Sequence, residues 1–217
     1  GHTGTETLER LGLEPGKYVL FVGRLEPENN PHVLVEAFSR ISGERARGMK
    51  LVVVGGAPYA HDYIKQVQRA GDPRVIFPGY IFGRGYWELQ HHAYVFCAPT
   101  EVGGTHPVIL EALAAGNCVL VNDHAPNVET VGDAGVTFSG KAGVPSLTAQ
   151  LERLFDEPEL VEHYRARARV RARRYSWDAV TDEYEQLLVS VHRTGVPGSL
   201  PVELVDAESA QPLAGAR

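Results

Sequence analysis

The chain reads as an α/β fold: a doubly wound, Rossmann-like parallel sheet of six strands with helices at the C-terminal end. Three observations predict it. Short apolar runs recur along the chain, each stopped by Gly, Pro or Asn. These runs are continuously apolar rather than alternating, as strands covered on both faces must be. Helical patterns separate them, and strand alternating with helix builds right-handed βαβ units.

The elements follow in order. A linker and a short helix, Glu6 to Leu11, end at Gly12. Tyr18–Val22 is the first strand, stopped by Gly23. Pro31 to Ser42 is a helix, with Pro near its start and Val33, Leu34, Ala37, Phe38 and Ile41 at helical spacing. Leu51–Val54 is the second strand, before Gly55-Gly56, and His61 to Ala70 the helix after it. Arg74–Phe77 gives a third strand before Pro78-Gly79, then a helix from Tyr86 to His92. Ala93–Cys97 is the fourth strand. Pro107 to Ala115 is the next helix, with Pro at its start and Gly116 past its end, the asymmetry a helix prefers. Cys118–Val121, a short helix Pro126 to Val131 and a weaker strand Val136–Phe138 complete the sheet. After Val144 the pattern is all helical: Ser146 to Phe155, Glu159 to Tyr175, and a last helix from Trp177 to about His192 with Ser176 as N-cap. The division is therefore a linker and short helix over 1–16, one domain over 17–192, and a flexible tail over 193–217, rich in Pro, Gly, Ser and Ala.

Composition narrows the function. The chain has 217 residues, 43% hydrophobic and 22% charged, enough for a real core. A net charge of −6 argues against nucleic acid as a partner, which asks for a basic face. Two cysteines, Cys97 and Cys118, fall in predicted strands; they suit small core residues and a reducing compartment rather than a disulfide scaffold. No apolar run reaches the roughly 20 residues of a transmembrane segment. His91-His92 has no carboxylate or thiol at metal-ligand spacing, so no metal site is expected.

Ligands of an open parallel sheet bind beyond the carboxyl ends of its strands, so the loops there carry the chemistry. Gly23-Arg24 ends the first strand; Arg24 suits a bidentate grip on phosphate, or an ordinary loop pairing with Glu26 or Glu28. Glu101-Val-Gly103-Gly104-Thr105-His106 leads into the helix at Pro107 and offers backbone N–H groups at a helix N-terminus, a setting for an anion. Glu111, one turn inside that helix among Leu110, Ala112 and Leu113, is a carboxylate that needs a partner, and a ribose diol would serve. Asn122 to Glu129 is a weaker polar loop. The arginine run Arg165, Arg167, Arg169, Arg171, Arg173 and Arg174 spreads round its helix and reads as a solvated face. No dinucleotide glycine fingerprint and no phosphate-loop lysine motif occurs.

These loops resemble the C-terminal, donor-binding half of glycosyltransferase family 4 enzymes with the GT-B fold. The matching stretches are Val19–Leu25, Val52–Gly56, Val75–Tyr80, Ala98–Gly116 and Pro126–Gly132, in family order; Tyr175-Ser-Trp177 resembles the family's closing segment, which packs back toward the other half. The resemblance implies that no cofactor is needed and that the donor is a nucleoside-diphosphate sugar. It implies Arg24 on the diphosphate, Glu111 on the ribose, and the base against the backbone of Ile81. Gly23, Gly103, Gly104, Thr105 and His106 would line the phosphates and sugar. The family often places a Lys at the position of Asn29 and a Gly at that of Asn30, so a cation is missing here. Its first glutamate falls on Gly103, eight residues before Glu111; Glu101 stands ten before. Either an insertion keeps Glu101 in that catalytic role beside Arg24, or the role passes to the amides of Gly104, Thr105 and His106. Gly-Gly-Thr-x-Pro with Glu-Pro-Glu-Asn-Asn resembles a rhamnosyltransferase-like subgroup of polysaccharide biosynthesis.

The resulting expectation is the donor half of a retaining glycosyltransferase. Its acceptor, a glycan or lipid-linked, would be held by a missing N-terminal domain. The setting would be cytoplasmic, at the membrane's inner face for the full-length enzyme. The alternatives are a non-catalytic nucleotide-binding regulatory module and a scaffold domain with an Arg-rich docking helix.

Overall fold

The computed structural model describes residues 4–69 and 71–194. Six strands form one parallel sheet: β1 (Tyr18–Val22), β2 (Lys50–Val54), β3 (Val75–Gly79), β4 (Val95–Ala98), β5 (Cys118–Asn122) and β6 (Gly135–Phe138), in the order β3-β2-β1-β4-β5-β6. Alternate strand residues feed two cores. Val19, Phe21, Val53, Cys97 and Leu120 face one side, while Tyr18, Leu20, Val52, Phe96 and Val121 face the other. That two-sided burial is why the strands read as unbroken apolar runs.

On the first face lie α2 (Pro31–Ser39), α3 (Gly43–Ala46), α4 (His61–Gln68) and, further along, α8 (Val144–Asp156). The helix expected over Pro31 to Ser42 ends at Ser39, and a second begins just past the expected end, at Gly43. Ser42 is an N-cap inside the expected span, its hydroxyl accepting from the Arg45 N–H at 3.2 Å, and a side-chain cap starts a new helix rather than continuing an old one. On the second face lie α1 (Glu6–Leu11), α5 (Gly83–His92), α6 (Pro107–Ala115) and α7 (Ala125–Val131). α5 begins one turn before the expected Tyr86. Gly83 and Gly85 look like turn residues, but both lie in α5, and at Gly85 the glycine answers to packing, since a Cβ there would fall 2.8 Å from the Thr7 hydroxyl on α1.

α9 (Pro158–Ala172) passes round the amino end of the sheet. Val161 belongs to the first core, and Ala168 and Ala172 belong to the second. The sequence reading of its arginines as a solvated face holds for Arg173 and Arg174, which are exposed, but not for three others. Arg165 donates to the Ala93 and Tyr94 carbonyls at 2.5 and 3.2 Å, Arg169 to Ala115 at 3.4 Å, and Arg171 to Glu129 and Thr130. These carbonyls close α5, α6 and α7, so three guanidinium groups sit where helix dipoles are negative. The reading failed because spacing on one helix says nothing of which neighbours end beside it.

α10 (Trp177–Thr194) follows, with Ser176 capping it through the Ala179 N–H at 3.4 Å, as expected. Arg193 and Thr194, placed in the tail by the sequence, still belong to this helix. The rest of the expected tail lies outside the described residues. No helix among the described residues is long and apolar enough to cross a membrane.

Candidate functional site

The strand order reverses between β1 and β4, which makes the crevice beyond their carboxyl ends the topological switch point. The two loops singled out in the sequence flank it. They are joined by side-chain amides. Asn30 donates to the Pro99 carbonyl at 3.1 Å, and Asn29 accepts from the Thr100 hydroxyl at 3.2 Å while donating to the Arg24 carbonyl at 2.9 Å. From the β5 loop, Asn127 donates to the Thr100 carbonyl at 2.8 Å. Three loops are thereby held in fixed relation before any ligand arrives.

Arg24 projects from this rim with its side chain 70% exposed. One nitrogen lies 3.3 Å from Glu26 and 3.4 Å from the Tyr59 hydroxyl. The loop pairing left open by the sequence is therefore made, yet most of the guanidinium faces water, where an exposed pair contributes little. Gly23 precedes it at the strand end, its N–H bonded to the Val54 carbonyl at 3.1 Å.

The β4 loop is gripped by two imidazoles. His124 Nε2 lies 3.1 Å from the Gly103 carbonyl, and the His106 ring packs under Gly103, whose φ of +101° is a conformation that suits glycine. His106 is also the N-cap of α6, and burial depresses its ring pKa, with His124 adding in the same direction. Gly104 and Thr105 are exposed on the same loop, as is Glu101. Glu101 lies near enough to His32 to raise that ring's pKa, an effect outweighed by the lowering due to burial. Ile81 is half-buried at the β3 end, between exposed Tyr80 and Phe82, whose rings stack at 5.9 Å.

Glu111 has the partner its surroundings demand. Tyr86 on α5 donates its phenol proton to Glu111 Oε2, and Gln90 donates to the phenol oxygen at 2.9 Å. Burial raises the Tyr86 pKa far above its ordinary value, and Glu111 raises it further, so the phenol stays protonated. Tyr86, Tyr59, Thr100 and Asn127 were all missed from the sequence. Tyr59 and Tyr86 belong to no motif, Thr100 and Asn127 lie inside quoted stretches without standing out in them, and each acts through an element distant in the chain.

The sequence-predicted residues thus share the carboxyl rim of the sheet. Gly23, Arg24 and Asn29 lie on one loop, and Glu101, Gly103, Gly104, Thr105 and His106 lie on the loop tied to it. Glu111 sits one turn down α6, and Ile81 two strands away.

A parallel sheet of this order, with its loops bound together at the switch point, defines the class of doubly wound α/β domains that take ligands at the strand ends. Within that class, the chain belongs to the glycosyl transferases group 1 family, which residues 5–171 match. It is 25% identical over 178 residues to O-antigen chain mannosyltransferase B of Escherichia coli, covering 81% of this chain and 46% of that protein. It is 31% identical over 192 residues to a GDP-mannose-dependent α-(1-6)-phosphatidylinositol monomannoside mannosyltransferase of Mycobacterium tuberculosis, covering 82% of this chain and 48% of the relative. Among solved structures, it superposes on Anabaena HepE in complex with UDP and glucose with a TM-score of 0.75 at 18% identity, covering 86% of this chain and 52% of the other. The fold is that of GT-B glycosyltransferases, and the chain spans about half the length of the relatives it matches.

Proposed function

We propose that the chain is the donor-binding half of a retaining, metal-independent glycosyltransferase. It would take a nucleoside-diphosphate sugar and pass a hexosyl or rhamnosyl group to a glycan or lipid-linked acceptor held by the other half. The observation that carries this reading is the pair of amide-tied loops at the switch point, one bearing Arg24 and the other a glycine turn into α6. In the reaction, the anomeric C–O bond to the β-phosphate breaks, the acceptor's hydroxyl oxygen bonds to the same carbon, and the hydroxyl proton passes to the departing diphosphate. Negative charge collects on the departing diphosphate. Arg24 and the first N–H groups of α6 stabilise it from fixed positions, and Glu111 orients the donor through its ribose. The relatives named above are mannosyltransferases, and HepE was crystallised with UDP and glucose; both support a nucleotide-sugar donor. A cytoplasmic setting, at the inner face of the membrane for the full-length enzyme, belongs to the same proposal.

Calorimetric titration with UDP, GDP and TDP tests it. A charge-assisted hydrogen bond contributes about 1.5–3 kcal/mol, so Arg24→Ala should weaken the preferred diphosphate ~10- to 100-fold. Unchanged affinity removes Arg24 from the site.

A second reading, a nucleotide-recognition module without catalysis, is favoured by Asn29. Its amide is engaged by the loops and supplies no charge to a leaving phosphate. Absence of transfer after the other half is restored would favour it.

A further inference from the structure

Four side chains between α5 and α6 form a one-way chain of donors. Asn117 Nδ2 donates to the Gln90 side-chain oxygen at 3.1 Å and to the Gln90 main-chain oxygen at 2.7 Å. That contact fixes the Gln90 amide with its NH₂ turned outward, where it donates to the Tyr86 hydroxyl at 2.9 Å. A phenol oxygen that accepts there has one proton to give, and Glu111 Oε2 receives it. Gln90 and Asn117 are buried, so no water competes for either. Successive donors polarise one another, and the chain ends on a carboxylate.

We infer that Tyr86 is a positioning residue for the pentose of the donor. It pins Glu111 Oε2, and with it the plane of the carboxylate, so that Oε1 and the remaining lone pair of Oε2 meet a ribose diol without a search among rotamers. This rests on the reading that Glu111 holds the ribose. A carboxylate one turn inside a helix has three side-chain torsions to settle. Fixing them beforehand lowers the entropic cost of the two hydrogen bonds.

The test is calorimetric titration of the wild-type chain, Tyr86→Phe, Glu111→Ala and the double variant with UDP and GDP, and with their 2′,3′-dideoxy counterparts. Tyr86→Phe keeps the ring and its packing. It should weaken the ribonucleotide about 3- to 10-fold and the dideoxynucleotide less than about 2-fold. Glu111→Ala should weaken the ribonucleotide about 10- to 100-fold, and adding Tyr86→Phe to it should change little, since the group being positioned is gone. If Glu111→Ala discriminates between the two sugars and Tyr86→Phe does not, the positioning role is wrong and the ribose reading stands. Equal losses for both sugars in Tyr86→Phe reduce the residue to packing and overturn the proposal. If Glu111→Ala loses no discrimination, the ribose reading itself falls, and the proposal with it. Should Tyr86→Phe fail to fold, Gln90→Met, which frees the phenol from its donor, carries the same comparison.

Discussion

At the scale of single residues, Asn30 does two jobs that can be separated. Its backbone is left-handed, with φ of +53°, and its amide reaches the Pro99 carbonyl. Asn30→Ala loses both the bond and the tolerance for that backbone, at roughly 1 kcal/mol for the bond and 1–2 for the conformation. Asn30→Gly, the residue usual in the family, loses the bond alone. Urea unfolding should rank Ala below Gly by about 1–2 kcal/mol. The reverse order would mean that the left-handed dihedral does not select the residue at this position. His106 sets the pH response of the neighbouring loop. Folding depresses its pKa below 6.5: burial dominates and outweighs a backbone hydrogen bond with Val102 that raises it, and His124 adds a smaller lowering, so the native state prefers the neutral ring. Its contribution is complete above 6.5 and is lost as pH falls through the folded value. His32 and His91 are depressed by burial in the same sense. Stability should therefore decline as pH drops below about 6.5, and His106→Asn should flatten that slope in thermal melts. An unchanged slope would clear His106 of the effect.

At the scale of elements, α9 shows what a sequence conceals. Its arginines were legible as a run and illegible as partners. The carbonyls they meet end α5, α6 and α7, 41–72 residues away in the chain. Arg165→Leu should cost about 1–3 kcal/mol, because the Ala93 and Tyr94 carbonyls lose their donor, whereas exposed Arg173→Ala should stay within about 0.5 kcal/mol. Equal effects in urea unfolding would restore the solvated-face reading. The strands, in contrast, were legible almost to the residue. Burial on both faces writes itself into the four central strands, β1, β2, β4 and β5, and less into the edge strands β3 and β6. Helix ends were less so. Gly83 at the start of α5 and Ser42 inside the expected Pro31–Ser42 helix report contacts and caps rather than periodicity. The candidate site follows the same division. Arg24, Gly103 and Glu111 stand in motifs and could be singled out as candidates; Tyr86 and Asn127 are defined by what lies across from them.

At the scale of the whole molecule, α10 is the element without a counterpart. Trp177, Tyr184 and Leu188 fall on one helical stripe and are 69%, 64% and 66% exposed. Three large apolar groups in a row are a face meant for something. About half the length of the relatives lies outside this chain, and the resemblance has the closing segment pack back toward the other half. Under the proposed function, that half is what covers the stripe. Two consequences can be separated experimentally. Replacing Tyr184 and Leu188 by Gln should leave the unfolding free energy of this chain within about 0.5 kcal/mol, since neither side chain is buried here. The same pair introduced into the full-length protein should lower its melting temperature and its rate of sugar transfer, because the two halves would no longer be held across the crevice. Under the proposed function, in which the other half holds the acceptor, the 217-residue chain alone should bind a nucleoside diphosphate and transfer nothing. Transfer by this chain alone would show that the crevice is complete without its second wall, and the stripe on α10 would then need a different occupant.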